Sequence, residues 1–203
     1  MAATVDALLP LSFLEAVRTI DTPDGDLDAE YVPELRNKKL GPSDTVYAQI
    51  RRYTDAIKRN VRIPHDEAVA LARLIGRRPD AEEVFRAAGR HLANQSYLTL
   101  APFARTTLRQ LPAMVSRPLA LRQVRRLSRR YLDGRVTRVG ASLLLEVQAP
   151  VSLDTAPRAI GCAYYEAALR ELMQLLTGGA GGVDHVRCAS RGEGSDQWKA
   201  EWR

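Results

Sequence analysis

The sequence predicts an α+β protein with an antiparallel sheet. Three observations carry this. Apolar residues recur at helical spacing through roughly the first two thirds of the 203-residue chain. The period then drops to two in the runs Arg135–Val139 and Ser142–Val147, which flank Gly140. A long helical stretch over 159–177 leads into strands, and in the last of these Trp198, Ala200 and Trp202 alternate with Gln197, Lys199, Glu201 and Arg203. The order helices, hairpin, helix, hairpin, with no internal repeat, is that of an α+β chain.

Each element has its own local reason. Leu11, Leu14 and Val17 suggest a short first helix, followed by an irregular, Pro- and Gly-punctuated stretch that includes Pro33, Gly41 and Pro42. Ser43 is suited to cap a helix through Lys58, with Val46, Ile50, Tyr53 and Ile57 on one face. Pro64 is placed in the first turn of the next helix, where a missing N–H costs nothing, and Gly76 ends it. Asp80 is expected to cap a helix carrying Val84, Ala88, His91 and Leu92. A further helix runs from Pro102 through Phe103, Thr107 and Leu111, limited by Pro112 and Pro118. From Pro118 to Tyr131 the residues Leu121, Val124, Leu127 and Tyr131 form the buried stripe of a basic amphipathic helix. Pro157 opens the helix 159–177, whose apolar face is Ile160, Tyr164, Ala167, Leu172 and Leu175, and the Gly178–Gly182 cluster stops it.

Composition narrows the function classes. No window approaches the roughly 18 apolar residues of a membrane span, and the first 14 residues do not read as a signal peptide, so a cytoplasmic protein is expected. Two cysteines, Cys162 and Cys188, are too few for a disulfide framework. The net charge of +6 is concentrated, since ten arginines and one acid, Asp133, lie between Arg105 and Arg138. Only four lysines accompany them in the whole chain, a bias that a GC-rich genome also produces. Aromatic interleaving is absent, which argues against nucleic acid. Arg122, Arg126 and Arg129 are placed on the solvent side of their helix, as a solvated face or as a surface for an acidic protein partner.

There is no G-x-S-x-G, no phosphate loop and no G-x-G-x-x-G following a strand. A vinyl reductase acting alone would need a hydride source, so a non-enzymatic role is favoured and no cofactor is assigned. Cys162, Cys188, His185 and Asp196 are secondary candidates for a metal, their thiolate, imidazole and carboxylate groups suiting zinc or iron. Against this, His185 and Cys188 stand three apart and should face opposite sides of a regular strand. A haem on His91 or His185 has too few ligands to support it. Tyr97, Phe103, Tyr164, Tyr165, Trp198 and Trp202 either fill the core or wall a pocket between helix 159–177 and the sheet.

The C-terminal segment, Cys188-Ala-Ser-Arg-Gly192-Glu193-Gly-Ser-Asp196-Gln-Trp198, resembles the terminal motif of the 4-vinyl-reductase domain family. Cys188, Gly192, Glu193 and Trp198 fall at that family's spacing, and Cys162 matches a recurrent cysteine of the preceding helix. Asp196 departs from it, standing where the second motif cysteine usually lies, so no tight structural zinc is expected and folding should survive a chelator. The resemblance covers about the last 60 residues and implies helices packed on one face of a twisted antiparallel sheet, a fold shared with TRAPP subunits and haem nitric-oxide sensors. It divides the chain into an N-terminal helix and extension, 1–42, and a domain like that of the 4-vinyl reductases, 43–203. It implies a bacterial binding or sensory domain for a hydrophobic small molecule, such as a tetrapyrrole or aromatic hydrocarbon. Cys162, Tyr164, Tyr165, Cys188 and Trp198 would line an enclosed, mostly apolar pocket of about 300 Å³ or more. The alternatives are a TRAPP-like homodimerising interaction module and an accessory protein of bacteriochlorophyll synthesis.

Overall fold

The structure is a computed structural model that describes residues 3–22, 43–110, 113–153, 155, 159–179 and 181–201. The chain is α+β, with helices on one face of an antiparallel sheet. Strand β1 (Thr4–Asp6) leads into helix α1 (Leu8–Asp21). Helix α2 (Asp44–Lys58) and strand β2 (Arg62–Pro64) follow. Helices α3 (His65–Gly76), α4 (Ala81–Leu98), α5 (Pro102–Gln110) and α6 (Ala113–Tyr131) then run in succession. Strands β3 (Arg135–Val139) and β4 (Ser142–Val147) form the expected hairpin. Helix α7 (Cys162–Thr177), strand β5 (Val183–Arg187) and strand β6 (Asp196–Glu201) complete the described chain.

The main sheet has strand order β3-β4-β6-β5, antiparallel throughout. Its register sets one apolar face. Val136 stands opposite Leu145, Leu145 opposite Trp198, and Leu143 opposite Ala200, all of them buried. The intervening Lys199 and Glu201 are exposed on the other face, the alternation of a sheet covered on one side only. Helices α6 and α7 cover the apolar face, and α4 and then α1 stack behind α7. Helix α7 is therefore buried almost all round, including Tyr164, Ala168, Leu169 and Leu172 at 0% exposure.

The stacking of α4 on α7 depends on Gly89. A Cβ there would collide with the carbonyl oxygen of Tyr164 and the nitrogen of Ala168, so the two backbones approach as only glycine permits. A chain of rings runs through this layer. Phe85 meets Phe13 at 5.6 Å, Phe13 meets Tyr164 at 4.8 Å, Tyr164 meets Tyr165 at 5.1 Å, and Tyr165 stacks on Trp198 at 4.9 Å. The buried residues of helix α1 share one hydrophobic core with those of the described segments after residue 42.

Several expectations are adjusted. Ser43 does cap α2, its hydroxyl accepting from the Val46 N–H at 3.3 Å, but Ile57 at the far end of the expected face is 38% exposed. Pro64 ends β2 and occupies the position before α3, because β2 pairs with β1 and holds it extended. The three-residue strands β1 and β2 are too short to show a period. Asp80 sits at the cap of α4 without a side-chain cap, since its carboxylate is taken by Arg78 in a network with Asp21. Pro118 lies inside α6 and does not begin it. Phe103 is 80% exposed, away from the sheet–helix interface. Leu111, Pro112, Pro157, Trp202, Arg203 and the irregular stretch up to Pro42 lie outside the described residues.

Helix α6 has the expected register, with Val124, Leu127 and Tyr131 buried, Leu121 half-buried and Arg122, Arg126 and Arg129 toward the solvent side. Changing these three arginines together to Gln should cost at most about 0.5 kcal/mol each in urea unfolding; a larger loss would mean that they are buried. Gly89→Ala should lower stability by about 1–3 kcal/mol in the same measurement, because the added methyl has no room between two backbones. A neutral Gly89→Ala would contradict the close approach.

Candidate metal centre

The N-terminus of α7 and the loop between β5 and β6 meet at one edge of the sheet. Helix α7 begins three residues later than its apolar pattern suggests. Ala159 takes the left-handed conformation (φ 54°), and Thr155 Oγ1 accepts from the Gly161 N–H at 3.1 Å, which together turn the chain into the helix at Cys162. Gly161 is needed there, since a Cβ would stand 2.6 Å from Ser152 Cβ and Thr155 Oγ1.

The β5–β6 loop is equally determined. Gly192 (φ 81°) and Gly194 (φ 85°) adopt backbone that L side chains avoid. Between them the exposed Glu193 folds back along the loop, and its Oε2 accepts from the Cys188 N–H at 2.6 Å. This gives Gly192 and Glu193 a local structural role in the loop. Asp196, 1% exposed, accepts from the Ala189 N–H at 2.6 Å.

Cys162, His185, Cys188 and Asp196 converge here, with one donor atom of each within 4.8 Å of all the others. Cys162 Sγ lies 3.7 Å from Asp196 Oδ2, and His185 Nε2 lies 3.4 Å from Asp196 Oδ1. The expectation that His185 and Cys188 face opposite sides is overturned by a β-bulge. His185 pairs with Trp198 and Arg187 pairs with Gln197, so Val186 is an extra residue on β5 and the parity flips beyond it. Asp196 likewise stands on the covered face, two residues from Trp198, and not toward solvent.

Both cysteines and Asp196 are buried, whereas the His185 side chain is 22% exposed. Burial, with the Asp196 carboxylate beside it, pushes the Cys162 thiol well above its ordinary value. Cys162 is therefore held as a neutral thiol. A divalent cation reverses that, because it stabilises the thiolates and uses the carboxylate as a ligand. Ser190 Oγ lies 2.9 Å from Cys188 Sγ, and the His185 ring stacks on Trp198 at 4.9 Å, which fixes its orientation.

The other predicted ligand-binding residues sit deeper. Tyr164, Tyr165 and Trp198 are at most 1% exposed and pack on one another; Tyr165 Oη accepts from the Val151 N–H at 3.1 Å. Among the described residues, the space beside the start of α7 is open to solvent. It is an open groove of about 350 Å³ with Glu82, Ala159, Ile160, Ala163 and Glu166 along its walls, and Cys162 and His185 within it. Arg86 pairs with both acids, at 3.0 Å from Glu82 and 3.1 Å from Glu166. Tyr97 is buried on α4, and among the described residues no helix is long and apolar enough to cross a membrane.

No family model and no curated protein matches this sequence.

The bulge gives a direct test. Both thiols should react slowly with iodoacetamide in the folded protein, whereas deleting Val186 should turn Cys188 outward and raise its alkylation at least tenfold without unfolding the chain. Equal protection of Cys188 in the deletion variant would show that the loop, and not the bulge, directs it.

Proposed function

We propose that this chain is a non-enzymatic binding domain of the 4-vinyl-reductase kind built around a zinc-class metal centre. The convergence of Cys162, His185, Cys188 and Asp196 from α7, β5, the loop and β6 carries the reading. Two thiolates, an imidazole and a carboxylate form a four-coordinate set of borderline softness, which suits zinc. In tetrahedral zinc the ligand atoms stand about 3.3–3.8 Å apart, given bonds of about 2.0–2.3 Å. The four donor atoms, within 4.8 Å of one another, are slightly more spread than that, so a small side-chain adjustment would bring them around one ion. Asp196 would then serve as the fourth ligand, in the place where the 4-vinyl-reductase motif has its second cysteine. Four protein ligands leave no open position for a reacting water, which favours a structural and sensory role over hydrolysis. The metal would tie the start of α7 to the terminal hairpin, and a hydrophobic small molecule would be sensed by the helical layer behind it.

Elemental analysis of the purified protein decides this. About one equivalent of zinc is expected, lost in both Cys162→Ser and Cys188→Ser. Restoring free zinc at a thousandfold excess over Kd should stabilise by about 4 kcal/mol, or about 8–16 °C in Tm. Metal-free protein that neither takes up zinc nor gains stability from it would end the reading.

A second reading is an interaction module that receives an acidic protein partner. It is favoured by the placement of Arg122, Arg126 and Arg129 along one face of α6. The triple Gln variant should then lose that partner in a pull-down while keeping its zinc.

A further inference from the structure

A second concavity, remote from the Cys162 cluster, lies where α1, α2, α4 and α6 meet, with a volume of about 320 Å³. Leu8 and Leu11 of α1 line it, as do Ile57 in the last turn of α2 and Val61 in the link from α2 to β2. Ile57 and Val61 are 38% and 52% exposed, so the cleft is where the apolar face of α2 remains uncovered. His91 and Gln95 of α4 and Thr99 at its C-cap stand four residues apart and line the cleft as one polar rail.

The polar groups divide into two sets. The charged ones are already paired: Arg130 with Asp6 at 3.6 Å, Arg62 with Asp133 at 3.0 Å, and Glu15 with Arg18 at 2.6 Å. Thr99 gives its hydroxyl proton to the Ser96 carbonyl at 2.6 Å. His91 and Gln95 have no hydrogen-bond partner among the described residues; His91 is half-buried and Gln95 is exposed at the mouth of the cleft. Burial holds the His91 imidazole below its ordinary value, so at neutral pH it offers one donor and one acceptor and no charge. The recognition capacity not committed to an ion pair is therefore uncharged: His91 and Gln95, with the Asn60 carboxamide, whose oxygen accepts from Arg130 at 3.2 Å. The volume is at the small end of ligand sites, and Leu8, Leu11, Ile57 and Val61 supply apolar surface within a lining that is otherwise polar.

We propose that this cleft binds a small, uncharged, largely apolar molecule through its carbonyl or amide edge, read by His91 and Gln95. The site stands apart from the metal centre and does not depend on it.

The neutral naphthyl ketone fluorophore Prodan is the probe, titrated into the full chain with its emission followed. Saturable one-to-one binding with blue-shifted emission is expected. Gln95→Trp should fill the cleft and raise the Prodan Kd at least tenfold. Val61→Trp should do the same from the link between α2 and β2, so one folded variant suffices if the other melts early in circular dichroism. His91→Leu removes one hydrogen bond and should raise Kd roughly three- to tenfold. Glu82→Trp, in the groove beside α7, should leave Prodan binding unchanged. The anionic analogue anilinonaphthalene sulfonate should bind more weakly than Prodan. The proposal is overturned by non-saturable Prodan binding, by unchanged affinity in a folded Gln95→Trp or Val61→Trp variant, by loss of binding in Glu82→Trp, or by tighter binding of the anionic analogue.

Discussion

The close approach of α4 to α7 at Gly89 is the constraint on which the rest of the molecule depends. Because the two backbones nearly touch there, α7 is held between a helical layer and a sheet and is buried on both sides. That position explains its composition, since Ala163, Ala167 and Ala168 accommodate neighbouring helices while Tyr164, Tyr165 and Leu172 fill the gaps. It also fixes where the helix begins. With its middle locked, its first residue, Cys162, has one place to stand, at the sheet edge beside β6.

The line of rings from Phe85 through Phe13, Tyr164 and Tyr165 to Trp198 makes one packed unit of helices and sheet. His185 ends this line, stacked on Trp198 at 13° between planes. The candidate metal centre is therefore continuous with the core and not a loop feature laid on it. An ion there would bear on the helix, the ring stack and the terminal hairpin together. The cleft lined by His91 and Gln95 uses the opposite part of the helical layer, where α2 leaves Ile57 uncovered.

Polar groups in this fold sit where packing supplies them partners. Asp21, 4% exposed, is held by Arg78, which also takes the carboxylate of Asp80 at 2.8 Å. Tyr53 and Arg52 converge on Glu67 at 2.7 and 2.8 Å and join α2 to α3. The cluster of Cys162, Cys188 and Asp196 follows the same rule: Asp196 accepts from the Ala189 N–H and the Cys162 thiol, and Cys188 Sγ lies 2.9 Å from Ser190 Oγ, with all three buried.

The sequence alone determined the elements whose causes are local. The hairpin about Gly140, the cap at Ser43, the stop at Gly178 and the arginine face of α6 all follow from periodicity, turn chemistry or capping within a few residues. The alternation of β6 already placed Asp196 on the side of Trp198, so its burial could have been read from the same pattern. Only the tertiary structure decided the rest. The bulge at Val186 shifts side-chain parity by one residue, and no composition signal marks it, so His185 and Cys188 read as opposed until the pairing with β6 is known. The late start of α7 depends on Thr155 and Ser152 reaching Gly161, contacts that a helical period does not contain. Strands β1 and β2 exist only as each other's partner, Thr4 against Pro64 and Asp6 against Arg62, far apart in the chain. The site belongs to this second class: its four side chains lie on separate elements, and what brings them together is packing and register.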